Sequence, residues 1–178
     1  MTGWFNHVGG IEAHGLARWD GVAWYPVHDL PSFNGGGLNY LNDMIYYQSH
    51  VYIGGNFNGG NGRKDIAYYD GTDWVACSNG IDGGTSAVYE FAEHDGLLYV
   101  AGYISNVLPW GPPSDPGSGV VTWNGSAWGA LNQCTQYANN PSVFDMVWLR
   151  DTLYVSGIFT LIDGIPTNGL MRWDGEHW

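Results

Sequence analysis

The chain has 178 residues, of which 44% are apolar and 16% aromatic, so it is long and apolar enough for one domain with a sizeable core and is no disordered tract. Five Lys and Arg stand against 17 Asp and Glu, a formal net charge of −12, so phosphate backbones and anionic headgroups are repelled and neither nucleic acid nor a membrane surface is an expected partner. No apolar run reaches the length of about 18 residues that a membrane-spanning helix needs, and any export signal is expected upstream, because Met1-Thr2-Gly3-Trp4-Phe5 reads as the middle of a repeat.

In chain order, the first element is that strand end, Gly3-Trp4-Phe5, followed by a strand at Leu16-Ala17-Arg18-Trp19, an Asp20-Gly21 turn and a strand from Trp24. The next stretch holds a full set. An alternating strand at Leu41 to Tyr47 leads into Val51-Tyr52-Ile53-Gly54-Gly55-Asn56-Phe57, then Ile66-Ala67-Tyr68-Tyr69, an Asp70-Gly71 turn and a strand from Trp74. The third set runs Val88 to Glu93, an Asp95-Gly96 turn, Leu98 to Ile104, Val120-Val121-Thr122-Trp123, Asn124-Gly125 and a strand from Trp128. The fourth runs Val143 to Leu149, Leu153 to Phe159, Leu170-Met171-Arg172-Trp173, Asp174-Gly175 and then Trp178. Short β-branched and aromatic runs bounded by turn residues are strands, and no stretch has sustained helical periodicity. The Asp-Gly and Asn-Gly dipeptides predict tight hairpins with positive φ at both turn positions.

An aromatic-(Asp/Asn)-Gly triplet with a Trp four residues after the Asp or Asn therefore recurs four times, roughly every 50 residues. Four antiparallel strands at that period predict an all-β chain built as a β-propeller of four-stranded blades, with an incomplete repeat at 1–30 and full ones at 31–80, 81–134 and 135–178. The chain reads as one propeller segment, 1–178, of a longer protein; a four-bladed ring, or a half-ring closed by another copy, are the alternatives. From Gly3, Gly55, Gly102 and Gly157 to the next triplet Asp or Asn the steps are 17, 15, 22 and 17 residues, so variation collects in loops expected on one face, where a binding surface would lie.

The repeated Asp and Trp residues are assigned to turns and packing, not chemistry. A second column, Asp43, Glu90 and Asp145, lies two residues after Leu41, Val88 and Val143, on the strand that lines a propeller's channel. Three carboxylates there would raise one another's pKa values or recruit a cation such as Ca2+; the plainer expectation is that each accepts backbone N–H groups from its neighbour. The longest insert, Tyr103 to Gly119, carries Trp110 on a Pro-stiffened loop and the acidic Asp115, both candidate ligand contacts, with a loop folded over a blade edge as the alternative. His7, Glu12 and His14 cluster in the first loop at no standard zinc spacing. Cys77 occupies a core column, and a disulfide to Cys134 is left open. Asn124-Gly125-Ser126 matches a glycosylation acceptor but sits where other repeats have plain turns. No nucleophile elbow, phosphate loop or paired-cysteine zinc pattern is present, so no catalytic residue, cofactor or metal ligand is assigned.

The run from the second strand to the triplet, as in Leu153-Tyr154-Val155-Ser156-Gly157-Ile158-Phe159 through Trp173-Asp174-Gly175, resembles the kelch-related repeats of secreted and surface proteins. These include fungal cortical-marker proteins and large exported bacterial proteins with C-terminal sorting domains. Tyr69, Asn124 and Ser156 depart from the pattern of Trp, Asp and Gly. The resemblance covers nearly the whole chain and implies an extracellular or cell-surface setting with a role in binding or display. A non-enzymatic interaction scaffold with a protein partner is the leading expectation. A glycan-binding propeller is the alternative, and a polysaccharide-active enzyme comes third.

Overall fold

A computed structural model describes residues 1–27, 40–82, 86–104, 106–107, 119–131, 142–162 and 165–178. The chain is all-β: the described residues form strands and no helix, and one sheet curls into a half-barrel. Among the described residues no helix is long and apolar enough to cross a membrane, which leaves β-barrel spans untouched.

The strands group into four successive antiparallel units. Unit 1, among the described residues, pairs Ala17–Trp19 with Trp24–Pro26 and has a single bridge from Thr2 to Leu16 beside a short hairpin in its first loop. Unit 2 is a sequential four-stranded sheet of Tyr40–Tyr47, His50–Asn58, Lys64–Tyr69 and Trp74–Ala76. Unit 3 repeats that order with Ala87–His94, Leu97–Tyr103, Val120–Trp123 and Trp128–Ala130. Unit 4 has three strands, Ser142–Leu149, Thr152–Ile158 and Leu170–Trp173. Units 3 and 4 make one seven-stranded sheet, but only the pair Tyr103–Ser142 joins them.

Two short hairpins, His7–Val8 with Ile11–Glu12 and Leu161–Ile162 with Ile165–Pro166, and one two-stranded ladder between distant segments, Ile81–Asp82 with Asn106–Val107, lie in segments that carried no strand signal. Two-residue strands bury too little to leave a pattern in the sequence.

The triplet turn differs from the expected tight hairpin. Trp19 pairs with Trp24, Tyr69 with Trp74 and Trp123 with Trp128, so each loop holds four residues and not two. Only the glycines Gly21, Gly71, Gly125 and Gly175 take positive φ, at 96 to 103°. The preceding Asp or Asn instead closes the loop with its side chain. Oδ1 of Asp20, Asp70, Asn124 and Asp174 accepts the amides two and three residues on, at 2.8 to 3.0 Å. This is local Asx-type chemistry, and those amides hold the three exposed Asp carboxyls below their ordinary pKa. The flanking rings then meet the same way in every unit, with centroids 4.9 to 5.5 Å apart and planes at 50 to 53°. The two-residue turn with positive φ at both positions occurs elsewhere, at Asp95-Gly96, as expected, and also at Gln48-Ser49.

Alternate residues of each strand serve opposite neighbours. Leu41, Ile53, Ala67 and Trp74 of unit 2 cluster with Leu16 of unit 1, whereas Tyr47, Tyr52, Ile66 and Cys77 cluster with Phe91, Leu98, Val121, Trp123 and Trp128 of unit 3. Tyr99, Ala101 and Val120 of unit 3 in turn meet Met146, Leu153, Val155 and Trp173 of unit 4. The core is therefore not one mass but three layers between successive sheets. Cys77 is a buried free thiol whose pKa burial pushes up; Cys134 lies outside the described residues.

Candidate functional site

The carboxylate column is placed by a backbone irregularity that recurs in each unit. The first strand slips register between Leu41 and Asp43, between Val88 and Glu90, and between Val143 and Asp145. Each slip is a β-bulge that leaves one extra residue, Asn42, Tyr89 or Phe144, and re-aims the next side chain. Opposite each bulge sits a glycine, Gly55, Gly102 or Gly157, packed so close to the carbonyl of Tyr40, Ala87 or Ser142 that no Cβ fits. Bulge, glycine and carboxylate are thus one device, and the spacing of the acidic residues in the sequence is its trace.

Around the first bulge the unit 2 strand is stitched to unit 3. Asp43 Oδ2 accepts the Phe91 amide at 2.8 Å and Oδ1 accepts the Met44 amide at 2.8 Å. Asn42 Nδ2 donates to the Val88 carbonyl at 2.7 Å, and Asn56 Nδ2 to the Ser86 carbonyl at 2.8 Å. At the next bulge Tyr89 and Phe144 meet at 5.5 Å between ring centroids.

The carboxylates influence one another through this proximity. Glu90 has its pKa pushed up to about 7, by burial first and then by the negative charges of Asp43 and Asp145 on either side. Burial also raises Asp43, partly offset by the two amides it accepts. Asp145, at the exposed end, lies open to solvent. Glu90 can therefore donate or accept a proton near neutrality, between two acidic neighbours. Among the described residues no group of three His, Cys, Asp or Glu is disposed to hold a metal ion. The geometry is a row of single carboxylates on the first strands of units 2, 3 and 4, and Asp43 accepts two backbone amides.

Other candidates are not drawn into this column. Trp110 and Asp115 lie outside the described residues. In the first loop His14 Nε2 lies 3.2 Å from Glu12 Oε1, both exposed, and His7 is the strand partner of Glu12. The triplet tryptophans are buried in the layers at Trp74, Trp123, Trp128 and Trp173, but Trp19 is 50% exposed, against the expectation that all of them pack between sheets.

Two features had no clear sign in the sequence. Asp65 is buried at φ 61°, where units 1, 3 and 4 place Gly15, Gly119 and Gly169 at φ 79 to 81°. Its carboxylate accepts the Phe57 amide at 3.0 Å and the Ser86 hydroxyl, which ties the second-to-third connection of unit 2 to the entry of unit 3. An Asp in a glycine column is the signal that could have found it. The other feature is a cavity of about 450 Å3 beside unit 1, lined by Trp19, Trp24, Met44, Val51, Tyr69 and Trp74. Comparison with protein-family models, with curated proteins and with solved structures returned no match.

Proposed function

We propose that the chain is a propeller segment that acts as a non-enzymatic interaction and display scaffold of a secreted or cell-surface protein. The observation that carries this reading is the stacking of units 2, 3 and 4 through equivalent layers, with the bulge, glycine and carboxylate recurring at one place in each. Sheets in sequential order, stacked face to face with their first strands adjacent, are how a propeller is built. The resemblance to kelch-related repeats supports the same fold and an extracellular setting. With a net charge of −12, the surface favours a neutral or basic protein partner over an anion. The carboxylates favour a scaffold over a hydrolase, because Asp43 is committed to backbone amides and leaves Glu90 no free partner acid on that side.

The test is to present the purified chain to a panel of basic and neutral extracellular proteins and to a glycan array, with a polysaccharide-release assay alongside. Saturable protein binding without sugar release is the expected result. Binding confined to glycans would replace the reading with a lectin, and release of reducing ends that Glu90→Gln abolishes would overturn it in favour of an enzyme.

A further inference from the structure

The junctions on the two sides of unit 3 are fastened by different chemistry. From unit 2 to unit 3, side chains of the first strand and its turn reach across to backbone groups. Asn42 bonds the Val88 carbonyl, Asp43 the Phe91 amide, Tyr47 the Gly96 carbonyl and Gln48 the Asn124 carbonyl, at 2.7 to 3.2 Å. The same four positions of unit 3 are Tyr89, Glu90, His94 and Asp95, and among the described residues none of them hydrogen-bonds to unit 4. A single backbone pair, Tyr103–Ser142, joins the two sheets there.

Rings and charges take the place of those bonds. Tyr89 meets Phe144 at 5.5 Å, and His94 lies flat on Trp148, with centroids 3.8 Å apart and planes at 9°. Trp148 Nε1 is buried without a partner among the described residues, so no hydrogen bond pins the ring. His94 Nε2 is 3.5 Å from Asp95 Oδ2. The titratable groups around Glu90 are Asp43 and Asp145. Those around His94 are Asp95 and, across the edge of Trp148, Tyr99, whose pKa burial and the Asp95 charge raise. Glu93, on the same strand, is turned toward unit 2, where it accepts the Gly96 amide and its charge reaches Tyr47. Arg150 and Asp151, in the turn after Trp148, make no ion pair with His94, Asp95 or Glu90 among the described residues.

We propose that protons latch the first strand of unit 4, Ser142–Leu149, onto unit 3: this edge closes in mildly acidic solution and loosens above neutrality. Both contacts respond to a proton in the same direction. A proton on Glu90 removes its repulsion with Asp145, and a proton on His94 places a cation over the Trp148 face and opposite the Asp95 carboxylate. Histidine is the side chain that ordinarily changes charge between about pH 5 and 8. Glu90 joins it in that window, because its pKa of about 7 lies above the ordinary 4.5. The closed edge therefore binds the extra proton between those two values, and the contact weakens as pH rises through about 7. The apolar layer beneath, Tyr99, Ala101 and Val120 against Met146, Leu153 and Val155, has no such dependence, so the change is confined to the edge.

Fluorine NMR of the 178-residue chain labelled with fluorotryptophan tests this. The Trp148 line is the one lost in Trp148→Phe, and its shift between H2O and D2O reads how far water reaches the ring. Across about pH 5 to 8 the open fraction should rise about tenfold, less than the full Glu90 shift implies because that group is partly exposed. The Trp123 line, in the junction fastened by hydrogen bonds, should stay fixed. Glu90→Gln combined with His94→Phe keeps the shapes and removes both protons, so Trp148 should then be equally covered at every pH, with near-ultraviolet circular dichroism checking the fold. A wild-type Trp148 whose exposure is constant over this range overturns the proposal without recourse to any variant. So does a pH response that survives in the folded double variant, or one that Trp123 shares with the same midpoint.

Discussion

The junction between units 2 and 3 and the junction between units 1 and 2 draw on the same columns of the repeat, but one is filled and the other is hollow. In the filled junction Trp128 Nε1 donates to the Cys77 carbonyl at 3.2 Å and Trp123 Nε1 to the Tyr52 hydroxyl at 3.3 Å. In the hollow one the column mate of Trp128, Trp74, is buried with its Nε1 lacking a partner among the described residues, and Trp19 is half in solvent. The triplet turns on either side have matching geometry. A rigid local motif therefore does not make a core; the inner hairpin of the neighbouring unit does.

Four tests break or sharpen that contrast. The largest difference is expected between Trp123→Ala and Trp19→Ala. Truncating a buried Trp in a filled layer should cost about 3–5 kcal/mol in urea unfolding, whereas the half-exposed Trp19 should cost under about 1 kcal/mol. Equal losses would mean that the hollow junction is as important to the fold as the filled one. Next comes Gly54→Ala. A methyl there would meet Val88 Cγ1 at 2.5 Å and Phe91 Cζ at 2.6 Å. Overpacking of this kind should destabilise by about 1–3 kcal/mol. Its column mate on the uncovered outer side of unit 4, Ser156, should accept Ala with a change within about 0.5 kcal/mol.

Glu90→Gln reports on the carboxylate column through pH. The folded chain holds the Glu90 proton up to a pH of about 7, against an ordinary value of 4.5, so between these values the folded state binds more protons and stability falls as pH rises. The Gln variant escapes that loss. It should match the wild type at pH 4 and exceed it at pH 8 by about 1–2 kcal/mol, less than the full shift implies because solvent screens a partly exposed group. Equal thermal stability of the two proteins at pH 8 would show that folding does not raise the Glu90 pKa. The smallest effect is expected for Tyr52→Phe, which removes the acceptor for Trp123 Nε1. It should cost about 1 kcal/mol, with Tyr154→Phe on the bare face near zero.

Much of the fold was legible in the residues. The strands begin and end within a few residues of their expected bounds, as with Ala87–His94 against Val88 to Glu93. The column of Asp43, Glu90 and Asp145 was also legible by alignment of the repeat, but not its cause. Nothing in Asn42, Tyr89 and Phe144 as residues announces a bulge; their equivalence appears only when paired strands show the slipped register. The turn was misread because Asp-Gly suits several loop lengths, and the pairing of Trp with Trp, not the dipeptide, decides among them. The plainer expectation, that the carboxylates accept neighbouring amides, describes Asp43.

By itself the sequence determined what is local. The triplet turn closes through a side chain and amides at most three residues away, and the alternation of each strand marks which residues leave which face, so both repeat wherever the residues repeat. The tertiary structure alone decided whether a given residue of a column is covered. Tyr46 and Trp148 share a position, yet one stands in solvent and the other lies on His94. The same holds for the raised pKa of Glu90 and for the cavity beside Trp74. Burial, charge proximity and empty volume belong to pairs of units, and a repeat read one unit at a time does not contain its neighbour.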